Sequence, residues 1–102
     1  MSELQEKKLI DMIKSEISRF SDNLKGYKVL LYGSRASGKA RERSDFDLAI
    51  LGNKALPLKL FHEIADSIEN LSTLHEIEIV DLKRTSNKFR MEVLKNYKVI
   101  YE

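Results

Sequence analysis

The sequence predicts a small α+β domain with α/β-like alternation, in which helices pack on a mixed sheet of three to four strands. The first observation behind this prediction is that segments with helical apolar spacing alternate along the chain with short β-type apolar runs. The second is the length of 102 residues, about one domain, so residues 1–102 are assigned to a single unit. The third is a composition of 42% hydrophobic and 33% charged residues, which suits a soluble domain with a modest core.

The first half of the chain divides into a helix, a strand, a polar segment and a second strand. A helix is predicted over residues 3–24, because apolar side chains recur there at steps of three and four residues. These side chains are Leu4, Leu9, Ile10, Ile13, Ile17 and Phe20. Residues 27–32 form a β-type run that Gly33 closes, and the polar residues 33–44 follow. Residues 45–51 begin with alternating polarity and become fully apolar, which is typical of a strand with one buried end.

The second half adds two helices and two strands. Pro57 is suited to the first turn of a helix that reaches about Leu71. Residues 75–82 alternate strictly between polar and apolar side chains and predict a third strand. A short helix is predicted over residues 87–96, and the last five residues, KVIYE, form a short strand or an ordered tail. The predicted order is therefore α-β-(loop)-β-α-β-α-β.

Charge and cysteine content exclude several classes of protein. Eighteen Lys and Arg residues against sixteen Asp and Glu leave a net charge of +2, too near neutral for nonspecific binding to nucleic acid or membranes. The absence of cysteine excludes disulfides and thiolate metal sites and favours a reducing, cytoplasmic location. The charged N-terminus lacks the apolar core of a signal peptide, and no apolar run approaches the roughly 20 residues that span a bilayer.

Two acidic side chains open the second predicted strand, in the sequence Asp45-Phe46-Asp47. Side chains at i and i+2 of a strand share a face, so the two carboxylates can converge on one point. Adjacent like charges repel unless a cation lies between them, and Mg²⁺ takes carboxylate and phosphate oxygens as ligands. We therefore expect Asp45 and Asp47 to bind Mg²⁺. The alternative is a strand that begins with two solvated acids.

Small and basic residues lie between the first two predicted strands. Gly33 and Ser34 directly follow the first strand, where glycine lets the backbone approach a phosphate and the serine hydroxyl can donate to it. Of the basic residues in this segment, Arg35 and Lys39 are the strongest candidates for contact with a triphosphate, although a solvated loop is the commoner fate of such runs. Tyr32, just before Gly33, is interpreted as a packing residue.

A third carboxylate would complete a two-metal arrangement, in which one ion activates the attacking oxygen and the other holds the leaving phosphate. Residues 75–82 contain several acidic residues. Three adjacent strands would bring the middle of this segment beside Asp45 and Asp47, which favours Glu78. Asp81 is the alternative, although in a regular strand it points to the opposite face.

These residues resemble the central motif of the minimal nucleotidyltransferases of the DNA polymerase beta-like superfamily. The family pattern is a hydrophobic strand, Gly-Ser, a spacer and Asp-hydrophobic-Asp-hydrophobic; here it reads LYGS at 31–34 and SDFDL at 44–48. The stretch GSRASG is also similar to the GSRARG that is common in the family. The resemblance covers nearly the whole chain and implies the polymerase beta-like nucleotidyltransferase fold.

The resemblance also implies an activity and its site. A nucleoside monophosphate, such as AMP from ATP, would pass to an acceptor hydroxyl while pyrophosphate leaves. Asp45 and Asp47 would hold Mg²⁺, and Gly33 and Ser34 would bind the triphosphate. Glu78 would stand where the family usually has an aspartate as its third carboxylate.

Chains of this kind resemble the antitoxins of MNT–HEPN pairs, in which the enzyme adds AMP to a tyrosine of the HEPN-domain toxin. One alternative is an antitoxin that silences its toxin by contact alone. Another is a transferase that acts on a small-molecule hydroxyl, for which self-association would have to build the acceptor site. Nucleic-acid polymerisation is disfavoured, because the chain has no strongly basic face and little aromatic stacking surface.

Overall fold

The computed structural model describes residues 3–33, 46–71 and 75–102. In these ranges three helices and four strands follow one another in the predicted order. The helices are α1 (Glu3–Ser18), α2 (Leu58–Glu69) and α3 (Asn87–Val93), and the strands are β1 (Lys28–Tyr32), β2 (Phe46–Leu51), β3 (Ile77–Asp81) and β4 (Tyr97–Tyr101). Two 3₁₀ turns, Ser21–Asn23 and Leu82–Arg84, follow α1 and β3. Within the same ranges, none of the helices combines the length and apolarity needed to cross a bilayer.

Helix α1 ends at Ser18, well before the predicted boundary at residue 24. The chain tightens there, because the backbone N–H of Phe20 donates to the carbonyl of Ile17 (2.9 Å) and that of Asn23 donates to the carbonyl of Phe20 (2.9 Å). Bonds from residue i to i−3 close a 3₁₀ turn, which occurs in short pieces at helix ends. The apolar spacing through Phe20 therefore extended the predicted helix too far.

The other two helices are also shorter than predicted. Helix α2 lies inside the predicted 57–71. Helix α3 begins after Ser86, whose hydroxyl accepts the backbone N–H of Phe89 (3.1 Å) and so caps the helix. It ends at Val93 instead of residue 96, because i→i−3 backbone bonds follow it.

The sheet has four strands in the order β3-β2-β1-β4. Strand β1 pairs antiparallel with both β2 and β4, whereas β2 and β3 run parallel, so the sheet is mixed, as predicted. Strand β3 is shorter than the predicted 75–82, since the chain enters a 3₁₀ turn at Leu82. The parallel pair places the beginning of β3 beside the beginning of β2, and this brings the acidic residues of the two strands together.

One face of the sheet carries the larger core, which α1 and α2 cover. The buried side chains there include Ile13 and Ile17 of α1, Leu31 of β1, Phe46 and Leu48 of β2, Ile64 and Ile68 of α2, and Ile79 of β3. Burial of each such side chain stabilises the fold by about 1.5–3 kcal/mol. The two helices also contact each other directly, where the Ser67 hydroxyl donates to the Glu16 carboxylate.

The opposite face carries a smaller core of four side chains, Leu30, Ala49, Leu82 and Val93. The last two come from the 3₁₀ turn after β3 and from α3, so these short elements cover the middle of this face. Farther along the same face, Asp47 is half-buried and Glu78 is exposed. Because the 3₁₀ turn and α3 cover only the middle of this face, the acidic side chains of β2 and β3 remain within reach of a ligand.

Candidate active site

Asp47 and Glu78 lie directly opposite each other in the parallel pair of β2 and β3. Register partners on adjacent strands share a face, and adjacent strands lie about 4.8 Å apart. Asp47 alternates along β2 with the buried Phe46 and Leu48, so its side chain lies on the face with the smaller core. Two carboxylates therefore stand side by side on the more open face of the sheet.

Gly33 stands at the end of β1, next to Asp47. Its backbone φ is +77°, in the left-handed region that favours glycine. Tyr32, the residue before it, is the register partner of Asp47 in the antiparallel pair of β1 and β2. A Cβ atom on Gly33 would lie 2.9 Å from Oδ2 of Asp47, so any larger residue would crowd the carboxylate. Glycine thus satisfies both the turn and the space that Asp47 occupies.

Tyr32 belongs to the same group of side chains, and it is also a packing residue, as the sequence indicated. Its ring meets that of Phe89 edge to face, with 6.1 Å between ring centroids and 87° between ring planes. Burial, followed by the negative charges of Asp47 and then Glu78, raises the pKa of the Tyr32 phenol to about 12. The phenol therefore stays protonated in a site with two carboxylates. The signal that could have identified it is its antiparallel pairing with Asp47.

Asp81, the alternative third carboxylate, lies on the opposite face and is 3% exposed. Its Oδ2 accepts the backbone N–H of Leu56 (2.8 Å), and its Oδ1 accepts that of Lys83 (3.1 Å). Arg84 Nε lies 3.9 Å from Oδ2, and the Arg84 guanidinium also donates to the Leu56 carbonyl (2.8 Å). The carboxylate of Asp81 therefore holds the segment before α2 against the end of β3 and faces away from Asp47.

Four of the predicted site residues, Ser34, Arg35, Lys39 and Asp45, lie outside the described residues. The structure thus brings together Gly33, Asp47 and Glu78. In the described part of the chain, no three His, Cys, Asp or Glu side chains are grouped so that they could hold a metal ion. The two carboxylates present nevertheless fit Mg²⁺, because their oxygens are the hard donors that it takes along with substrate phosphates.

A polar depression of about 320 Å³ opens beside Glu78 at the β3 edge of the sheet. Residues from the end of α2 and the beginning of β3 line it: Glu69, Leu71, His75, Glu76, Ile77 and Glu78. The His75 ring packs edge to face on Phe46, with 5.7 Å between centroids. A depression therefore adjoins Glu78 on the side away from Gly33.

Comparison with known proteins identifies the family. The family model for "Polymerase beta, Nucleotidyltransferase" matches residues 7–102. A protein of Haemophilus influenzae named "Probable protein adenylyltransferase MntA" is 33% identical over 76 residues, which are 74% of this chain and 67% of that protein. These matches confirm the resemblance seen in the sequence motif.

Solved structures share the fold. A minimal nucleotidyltransferase superposes with a TM-score of 0.67 at 26% identity, covering 90% of this chain and 92% of its own. A MNT antitoxin in complex with the tri-AMPylated HEPN toxin of Shewanella oneidensis superposes with a TM-score of 0.60 at 20% identity, covering 90% of this chain and 71% of the other. Because the family model spans almost the whole chain and the fold agrees, the chain belongs to the polymerase beta nucleotidyltransferase family.

Proposed function

We propose that this nucleotidyltransferase is a Mg²⁺-dependent adenylyltransferase that moves AMP from ATP to a tyrosine hydroxyl of a HEPN-domain toxin and thereby acts as its antitoxin. The observation that carries the proposal is the pairing of Asp47 with Glu78 on the open face of the sheet, with Gly33 beside it. The adenylyltransferase name of the Haemophilus influenzae relative and the AMPylated toxin in the Shewanella oneidensis complex support the donor and the partner.

The reaction would proceed along the line from Gly33 to Glu78. The triphosphate binds where β1 ends, so that its α-phosphoryl group lies near Asp47. The acceptor oxygen approaches from the depression beside Glu78, bonds to the α-phosphorus, and the bond to pyrophosphate breaks. The hydroxyl proton passes to the Glu78 carboxylate or to water. Entry of the two substrates from opposite sides would suit the roughly in-line displacement of phosphoryl transfer.

Asp45, Asp47 and Glu78 would hold the metal. The bound Mg²⁺ would neutralise charge on the phosphates and on the leaving pyrophosphate. The contribution of the chain itself is to fix Asp47 and Glu78 in register and to let the backbone at Gly33 approach the triphosphate. We also propose that the protein acts in the cytoplasm, where ATP is available and where proteins rarely depend on disulfides, which this chain without cysteine cannot form.

The proposal is tested with labelled ATP and Mg²⁺, with and without the HEPN-domain protein encoded beside this chain, followed by intact mass of both proteins. We expect the partner to gain AMP, and Asp47→Asn to abolish the gain. Asp11→Asn, an exposed aspartate on α1, is the matched control and should transfer normally. A tight complex without transfer would instead favour an antitoxin that acts by binding. If neither AMP transfer nor a complex is observed, small molecules with a hydroxyl group become the acceptors to test.

A further inference from the structure

A row of four side-chain positions crosses the entire sheet on the face with the smaller core. Tyr97 of β4 pairs with Tyr32 of β1, Tyr32 pairs with Asp47 of β2, and Asp47 pairs with Glu78 of β3. Tyr32 therefore stands between an aromatic neighbour and the first carboxylate. It is also the chain neighbour of Gly33, where the triphosphate is expected. A phosphate group bound beside Gly33 and Asp47 would therefore lie close to the Tyr32 side chain.

The Tyr32 ring is held in place from the side of α3. It packs against the smaller core and meets Phe89 edge to face at 6.1 Å. Such a ring contact restricts the phenol to a narrow set of orientations. The side chain is only half-buried, so part of it is accessible to a ligand on the open face.

A phosphate bound beside Asp47 and Glu78 would need a hydrogen-bond donor, and Tyr32 can supply one. Ionised carboxylates accept hydrogen bonds and cannot donate them, whereas a phenol hydroxyl donates. Phosphate oxygens carry negative charge and need donors or cations, more so while the acceptor bond forms and the pyrophosphate bond breaks.

We propose that the Tyr32 hydroxyl contacts the substrate by donating a hydrogen bond to an oxygen of the phosphoryl group that binds beside Gly33 and Asp47. Phenylalanine would fill the same volume and keep the contact with Phe89, so packing alone does not account for a hydroxyl at this position. The inference rests on the proposed function for its kinetic effect. Phosphate binding itself can be measured without any transfer.

The first test uses inorganic tripolyphosphate with Mg²⁺, which does not absorb where tyrosine does. The chain has four tyrosines and no tryptophan, so near-ultraviolet difference spectra report on the tyrosines directly. We expect tripolyphosphate to perturb the tyrosine spectrum of the wild type and of Tyr97→Phe, but not that of Tyr32→Phe. Tyr97 is the matched control, because it occupies the same row on the side away from Asp47. An unperturbed wild-type spectrum, or a signal that survives in Tyr32→Phe, would overturn the proposal.

The second test is kinetic and uses the HEPN-domain partner as acceptor. Loss of one hydrogen bond to a charged phosphoryl oxygen should lower kcat of Tyr32→Phe by about 10- to 100-fold, while Tyr97→Phe stays near wild type. The thermal midpoint of Tyr32→Phe should match that of the wild type, since the ring is retained. Equal kcat in Tyr32→Phe and wild type would overturn the catalytic part. A spectral change that depends on Tyr32 in a chain that transfers no AMP would keep the phosphate contact and reject the proposed transfer.

Discussion

Gly33 and Asp47 are packed so closely that a single methyl group on Gly33 would stand 2.9 Å from Oδ2 of Asp47. The pairing of Tyr32 with Asp47 across β1 and β2 fixes this approach, because it sets the end of one strand beside the first carboxylate of the next. Glycine therefore stands where the backbone at the end of β1 approaches the Asp47 carboxylate closely. The same absence of a side chain would let a phosphate approach the backbone.

Gly33→Ala should therefore reduce AMP transfer far more than it reduces stability. The substitution strains a backbone with φ of +77° and displaces the Asp47 carboxylate. Gly26→Ala is the matched control, since Gly26 has φ of +84° but no heavy atom lies within 4 Å of an added Cβ. Both variants should lose about 1–2 kcal/mol of unfolding free energy in urea titrations, and only Gly33→Ala should lose activity. Equal activity in the two variants would contradict a role for the close approach.

Glu78→Gln should lower kcat by about 100-fold or more, the range expected when a positioned base or charge is removed. Because Glu78 is exposed, the unfolding free energy of Glu78→Gln should differ from that of the wild type by no more than about 0.5 kcal/mol. Glu76→Gln is the control: it removes an equal charge from the same depression, one residue before β3 begins. Steady-state rates with saturating ATP distinguish the two. If Asp81→Asn lowered kcat more than Glu78→Gln, the third carboxylate would have to be reassigned.

The order of elements could be predicted from sequence because each carries its own apolar period, 3.6 for helices and 2 for strands. The predicted ends of the helices were less accurate where the apolar spacing continued although the backbone hydrogen-bond pattern had changed. The apolar spacing through Phe20 runs past Ser18, yet the backbone there has already changed to 3₁₀ bonding. A continued α-helix and a 3₁₀ turn would both place Phe20 on the core side, and no local pattern in the sequence distinguishes them.

In the candidate site, too, features that depend on local sequence could be predicted, whereas contacts between distant residues could not. Alternation along residues 75–82 correctly placed Glu78 and Asp81 on opposite faces. Asp81 accepts a hydrogen bond from Leu56, which is far away in sequence. The structural role of Asp81 therefore could not be predicted without the fold. Tyr32 packs on Phe89, as the sequence indicated, but its position beside Asp47 could not be predicted because it depends on which strands pair.

Asp81→Ala should destabilise the fold without impairing the chemistry of the folded protein. The substitution leaves the backbone N–H groups of Leu56 and Lys83 without their acceptors in a site where the carboxylate is 3% exposed. We expect the unfolding free energy to fall by about 2–3 kcal/mol, the cost of leaving buried donors unsatisfied. Asp66→Ala, at an exposed position on α2, should stay within about 0.5 kcal/mol. A loss of kcat at temperatures where Asp81→Ala remains folded would contradict a purely structural role.

The Tyr32 phenol should titrate near pH 12, which can be followed as the difference in phenolate absorbance between the wild type and Tyr32→Phe. Burial is the largest cause of the raised pKa and Asp47 the next, so Asp47→Asn should lower the pKa but leave it above the ordinary 10.0. Because the folded pKa exceeds the unfolded one, stability from the protonated phenol is complete below pH 10 and declines as the pH rises towards 12. Alkaline unfolding should therefore depend less steeply on pH in Tyr32→Phe. A Tyr32 pKa that does not respond to Asp47→Asn would show that the phenol and the carboxylate are not close neighbours.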